Sequence, residues 1–302
     1  MTPLRHIIDF ASKIGCEYRE NEPLSAYTTF KIGGPAELML LPSDIEILSA
    51  VVKKCHESGI MPFVLGSGSN LLIPDGGLKG VTLHMAGLTE FKLLPDSRIR
   101  CMAGGSVTKL CLFAQKHALS GLEFAYGIPG SVGGALYMNA GAYGGEFSQA
   151  TESCRYLTAE GELKEMAAAD MSLEYRHSVF QRGGMIITGV TLKLTPGDGG
   201  AVRAKMDDFM GRRRDKQPLN FPSAGSAFKR PEGHFAGELI ERCGLKGRSV
   251  GGARVSEKHA GFIVNTGGAT AEDVMALIEL VRKTVLDETG ILLEPEVKII
   301  EN

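Results

Sequence analysis

The segment Gly121–Gly145, GLEFAYGIPGSVGGALYMNAGAYGG, packs eight glycines into 25 residues. Nothing else in the chain restricts its fold as strongly. Glycine costs backbone entropy and buries no side chain, so such density persists where the chain needs left-handed turns or a close main-chain approach. A second glycine loop, Gly66-Ser67-Gly68-Ser69-Asn70, directly follows an apolar run at Pro62–Leu65. Consecutive amides in such a loop converge on an anion, and serine and asparagine side chains add donors. In the longer segment, Gly127-Ile128-Pro129-Gly130 forces a turn. Ser131-Val132-Gly133-Gly134-Ala135 then opens a short helix, whose bare amides would favour negative charge. Together the loops suit the diphosphate of a dinucleotide. A tight turn and a crowded helix–sheet contact are the plain alternatives. Neither standard phosphate motif is present: Leu71 occupies the sixth position of GxGxxG, and no Gly-Lys-Ser/Thr occurs.

Thirty-nine of the 302 residues are glycine, roughly twice ordinary usage. There is no Gly-X-Y period, and the 43% hydrophobic and 23% charged fractions are those of a globular chain. A formal net charge of −2 gives no reason to expect nucleic acid or an anionic membrane as partner. The basic run Arg212-Arg213-Arg214-Asp215-Lys216 is short, lacks interleaved aromatics and reads as a solvated helix end. The start MTPLRHIIDFASKIG is no signal peptide, and no apolar run is long enough to span a bilayer. The six cysteines form no CxxC and lie near no histidine cluster. They read as reduced core thiols of a cytoplasmic protein, and no metal is expected.

Strand and helix signals alternate along the chain. Apolar spacing predicts helices over Asp44–Gly59 and Val107–Leu119, and strands over Ala36–Leu41, Val81–Met85, Ile99–Met102 and Ile186–Leu194. Gly197-Asp198-Gly199-Gly200 breaks the pattern before a basic helix at Val202–Lys216. Helices at Ala236–Cys243 and Ala271–Asp287 and a final strand at Leu292–Ile300 follow. The expected division is 1–85, 86–197 and 198–302, with the last strand free to return to the first part. The fold class is α+β.

Seven ordered segments resemble the UDP-N-acetylenolpyruvoylglucosamine reductase (MurB) family. They are TTFKIGG at 28–34, GSGSN at 66–70, IPGSVGGALYMNAGA at 128–142, Tyr175-Arg176, AGSAFKRP at 224–231, KHAGFIVN at 258–265 and LEPEVKII at 293–300. The resemblance implies a two-lobed FAD-binding module of the vanillyl-alcohol-oxidase (PCMH) type and a C-terminal α+β substrate-binding domain. It implies non-covalent FAD, held through Gly66–Asn70 and through Gly127, Ile128, Pro129, Gly130, Ser131, Gly133 and Gly134. NADPH is the implied reductant and a UDP-sugar the substrate, in a cytoplasmic monomer that makes peptidoglycan precursors.

That reaction adds a hydride to an enolpyruvyl alkene, so negative charge develops on the neighbouring carbon and the carboxylate. A fixed cation and a proton donor are then needed. By resemblance Arg176 is the catalytic arginine, Ser226 the proton donor and Glu296 a second acid-type group, while Glu294 reads as solvated. Tyr175, Arg214 and Lys229 are the implied substrate contacts. Lys229-Arg230-Pro231 departs from the Lys-Asn-Pro of many relatives, and the chain resembles the shorter class of the family. His259 and Asn265 read as local hydrogen-bonding elements. From the residues alone, a flavin-dependent sugar or alcohol oxidase and a non-catalytic nucleotide-sugar-binding protein stay open. A bulky residue at Gly68 or Gly130 is expected to abolish FAD retention, and an exchange within Gly197–Gly200 is not.

Overall fold

The computed structural model describes residues 2–301. The described residues form seven α-helices, α1 (Pro3–Lys13), α2 (Ile45–Glu57), α3 (Val107–Lys116), α4 (Val132–Tyr137), α5 (Gly199–Lys216), α6 (Ala236–Arg242) and α7 (Ala271–Thr289). The chain forms two compact units. Unit 1 comprises residues up to 20, 37–67 and 80–211; unit 2 comprises 21–36, 68–79 and 212 onward. These lines fall elsewhere than at 85 and 197, because unit 2 is built from three separate stretches of sequence.

Unit 1 contains a five-stranded antiparallel sheet in the order 163–167, 151–158, 185–193, 98–102, 91–94. Its central strand, Met185–Lys193, buries seven consecutive residues. A strand enclosed on both faces has no solvent side to alternate toward, hence its apolar run. Cys154 and Cys101 face Val190 from either side. Burial pushes both thiols well above their usual range, as it pushes Cys55 up to about 12. Buried thiols of this kind do not ionise and are unreactive.

The second sheet orders its strands 17–23, 35–41, 78–84, 63–65. The parallel strand Phe63–Leu65 runs straight into Gly66. Asp44 caps α2 by accepting from the Ile47 amide at 2.8 Å, and Leu48, Val51, Val52 and Cys55 turn inward. Helix α5 starts at Gly199, inside the expected break. Asp198 makes this possible by accepting from the Ala201 amide at 2.7 Å, and such a cap outweighs the poor propensity of two glycines.

Unit 2 has its own core, in which Phe30, Ile32 and Leu72 join residues of α6, α7 and a small sheet in the order 249–250, 253–255, 263–265. The expected strand over 292–300 contracts to Lys298–Ile299, paired in parallel with Leu71–Leu72. Upstream of it only one isolated bridge, Phe228 to Pro295, is formed. Pro295 carries no N–H and cannot sustain a ladder.

Candidate active site

Within unit 1 the two glycine loops meet. A Cβ on Gly66 would lie 2.4 Å from the Ser131 Oγ, so the loop can approach only with glycine there. Ser131 in turn caps α4 by accepting from the Gly134 amide at 3.3 Å. The amides that open α4 are not bare, contrary to expectation. Val132 donates to the Gly105 carbonyl at 2.7 Å and Gly133 to the Ala103 carbonyl at 2.8 Å, so with Gly134 on Ser131 all three are engaged. Donors are left over one step earlier. Among the described residues, the amides of Ser67, Gly68, Ser69, Gly130 and Ser131 donate no turn, loop or cap hydrogen bond. Ile128 is spent on the Ala125 carbonyl, and Pro129 is exposed and has no amide hydrogen. Gly127 has φ +83°, which supplies the expected turn. Within unit 1, the unspent amides of Ser67, Gly130 and Ser131 and the two serine hydroxyls are donors of the kind a diphosphate requires, so these residues fit FAD.

Gly68 belongs to unit 2, where a Cβ on it would strike the Tyr27 carbonyl oxygen at 2.3 Å. A bulky residue at 68 therefore disrupts protein packing whether or not a cofactor is bound. Gly130 has φ +156°, so a side chain there strains the backbone as well.

Arg176 also lies in unit 1. With Tyr175 it forms the tip of a turn closed by reciprocal hydrogen bonds between Glu174 and His177, at 3.2 and 3.1 Å. Arg176 has φ +56°, a left-handed conformation in which a side chain is uncommon. Tyr175 is 51% exposed, and the Arg176 guanidinium lies 5.0 Å from its ring centroid. A guanidinium stacked this way offers planar donors to a carboxylate.

Unit 2 brings together the segments of Ser226, Glu296 and Asn70. The Glu296 amide donates to the Ala227 carbonyl at 2.8 Å, and the Ala227 amide donates to the Gly261 carbonyl at 2.8 Å. Ser226 is thus held one residue from the Glu296 main chain. The Asn70 Nδ2 donates to the Glu296 carbonyl at 3.2 Å. Ser69, part-exposed, precedes it in the same loop. Thr29 fastens this arrangement: its amide donates to the Gly68 carbonyl at 3.2 Å and its hydroxyl to the Ser223 carbonyl at 2.7 Å. Thr29 gives no sign of this from spacing, since its partners lie 39 and 194 residues away in sequence.

Arg213, not Arg214, is buried, so the run at 212–216 is not simply a solvated helix end. Arg214 is exposed, and its carbonyl accepts from the Lys258 ammonium. Lys229 pairs with Glu294 at 3.0 Å in a largely exposed contact. Lys298 was missed. Burial and the charge of Lys229 hold its ammonium below the usual lysine range. The signal available was its place two residues beyond Glu296 in sequence. His259 accepts from the Gly261 amide at 3.1 Å. Asn265 donates to the Phe30 carbonyl at 3.1 Å and accepts from Gly267 and Ala269. Both are parts of the unit 2 scaffold.

Residues 36–167, which include both glycine loops, match the family described as FAD binding domain. This places the protein among the FAD-dependent oxidoreductases. Residues 217–300 match the UDP-N-acetylenolpyruvoylglucosamine reductase, C-terminal domain. The UDP-N-acetylenolpyruvoylglucosamine reductase of Listeria monocytogenes serotype 4a is 49% identical over 280 residues, 93% of this chain and 94% of that protein. The protein of the same name from Lachnoclostridium phytofermentans is 48% identical over 284 residues, covering 93% and 92%. The crystal structure of UDP-N-acetylenolpyruvylglucosamine reductase (MurB) from Thermus caldophilus is similar with a TM-score of 0.81 at 33% identity, over 95% of this chain and 99% of that one. The chain belongs to the UDP-N-acetylenolpyruvoylglucosamine reductase family.

Proposed function

We propose that the chain reduces UDP-N-acetylglucosamine enolpyruvate to UDP-N-acetylmuramate with electrons from NADPH, as a cytoplasmic monomer of peptidoglycan precursor synthesis. The observation that carries this is the identity of nearly one residue in two with reductases of that name, along 93% of the chain. When bound, FAD would supply the hydride-transfer chemistry that links NADPH to the substrate alkene. Gly66–Asn70 and Gly127–Ser131 would hold its diphosphate through their unspent amides; Gly133 and Gly134, whose amides are engaged at the opening of α4, would serve by lacking side chains.

The chain's own residues then meet the charge. Arg176 grips the substrate carboxylate and stabilises the negative charge that spreads onto it. Ser226 delivers the proton to carbon, and Glu296 assists. Tyr175, Arg214 and Lys229 bind the UDP-sugar, with Lys298 added to the cation set. No helix among the described residues is long and apolar enough to cross a membrane, and the net charge of −2 gives nucleic acid no foothold.

The test is NADPH oxidation with and without the enolpyruvyl substrate. Consumption that depends on that substrate, with parallel double-reciprocal lines for a ping-pong scheme, is expected. Oxidation that needs only oxygen, or an alcohol as electron donor, would overturn the assignment.

A further inference from the structure

The turn that carries Arg176 is held by more than its own hydrogen bonds. Arg176 occupies the left-handed position of a tight turn, which glycine or asparagine usually fills. A side chain stays in that conformation only where the surroundings impose it, and such outliers concentrate at functional sites. Here two carboxamides impose it. The Gln181 Nε2 donates to the Arg176 carbonyl and to the Tyr137 carbonyl, both at 3.0 Å. It thereby ties the turn to the last residue of α4. The Asn139 side chain is 1% exposed and spans two segments. Its Nδ2 donates to the Glu174 carbonyl at 3.1 Å, and its Oδ1 accepts from the Ser148 amide at 2.8 Å. Asn139 is itself left-handed, at φ +40°. Ser178 adds a third link, its hydroxyl donating to the Tyr137 carbonyl at 2.7 Å. The helix that begins at the Ser131 loop therefore ends by fixing the arginine turn.

We propose that Gln181 and Asn139 are positioning residues for Arg176, clamping its main chain to the end of α4 so that the guanidinium is presented from a fixed, left-handed backbone. This rests on the role proposed above for Arg176. Neither carboxamide supplies charge to the reaction; each acts by restricting where the arginine stands. Misplacement of a charge-stabilising group by about 1 Å costs on the order of 100-fold in rate, so the clamp should be visible in kinetics.

The two half-reactions separate this from a general defect. Gln181→Met keeps the length and removes both donors. In the FAD-loaded enzyme, bleaching of the flavin by NADPH should stay within about twofold of wild type. Reoxidation by the enolpyruvyl substrate should slow by about 10–100-fold. In an Arg176→Ala background the same change should cost nothing further, because the two residues act as one unit. Hydrogen exchange of the 174–178 amides should quicken in the FAD-free protein as well. Gln181→Glu, which also lacks the donors, and Asn139→Ala should behave alike, so one poorly folding variant does not decide the matter. Equal loss in both half-reactions, or losses that multiply with Arg176→Ala, would reduce the clamp to ordinary structure. Reoxidation untouched in Gln181→Met while Arg176→Ala is crippled overturns the clamp alone. Reoxidation untouched in Arg176→Ala overturns the reading of Arg176, and the clamp with it.

Discussion

Ser226 is a weak acid in water, and it can serve only beside a strongly basic carbon in a site from which water is excluded. Its chain segment is pinned on both sides, to Gly261 through the Ala227 amide and to Glu296 through the Ala227 carbonyl, so the hydroxyl is held on a fixed backbone. Ser226→Ala should leave flavin bleaching by NADPH intact and slow product formation by about 10²–10⁴-fold, read by rapid mixing; an unchanged product rate would remove Ser226 from the reaction. Gly66→Ala forces its methyl against the Ser131 hydroxyl that caps α4. Loss of FAD absorbance after gel filtration is the expected outcome, and full retention would argue against the loop contact. Ser226 was legible only through resemblance, because a loop serine carries no pattern of its own. Arg176 was legible in the same way, but its left-handed backbone was not, since no glycine marks the turn.

Helix α7 shows how far local chemistry reaches. Thr270 and Asp273 form a reciprocal capping box, and Gly290 closes the other end at φ +73°. The next two amides, of Ala271 and Glu272, are taken by the Asp75 carboxylate at 2.9 and 3.3 Å. Thr270→Ala should cost about 1 kcal/mol, measured by urea titration; no loss would mean that Asp75 alone suffices. Spacing and caps made α2, α3 and α7 readable. They did not reveal that α4 opens with its amides engaged, because Ala103 and Gly105 reach it from some thirty residues upstream. Nor did they show the terminal strand shortening, where Pro295 interrupts the pairing. Acid stability belongs to the elements too. Burial raises the Glu123 pKa, but hydrogen bonds from the Ser120 hydroxyl at 2.6 Å and the Gly121 amide at 3.0 Å outweigh it, and the folded carboxyl lies below its usual value. Its contribution is complete above the unfolded pKa and is lost as pH falls through the lower folded one. The midpoint of thermal unfolding should therefore drop below about pH 4, and Glu123→Gln should flatten that drop; an unchanged slope would exclude Glu123 as a source.

At the scale of the whole molecule, a linear reading finds the elements but not their allegiance. Residues 21–36 and 68–79 belong with the C-terminal stretch, a choice made by tertiary burial of Phe30, Ile32 and Leu72 and invisible to periodicity. The Gly66–Asn70 loop crosses from unit 1 to unit 2 between Ser67 and Gly68, so its first half keeps company with Ser131 and its second with Thr29 and Glu296. A ligand held by unspent amides stabilises the folded form by mass action, and FAD should raise the unfolding midpoint in proportion to the logarithm of its concentration. The most direct test of the central claim is a single anaerobic turnover: enzyme bleached with one equivalent of NADPH, then mixed with UDP-N-acetylglucosamine enolpyruvate. Recovery of the flavin absorbance with one equivalent of UDP-N-acetylmuramate is the predicted result. Absorbance that stays bleached until oxygen is admitted, with no muramate formed, would contradict it.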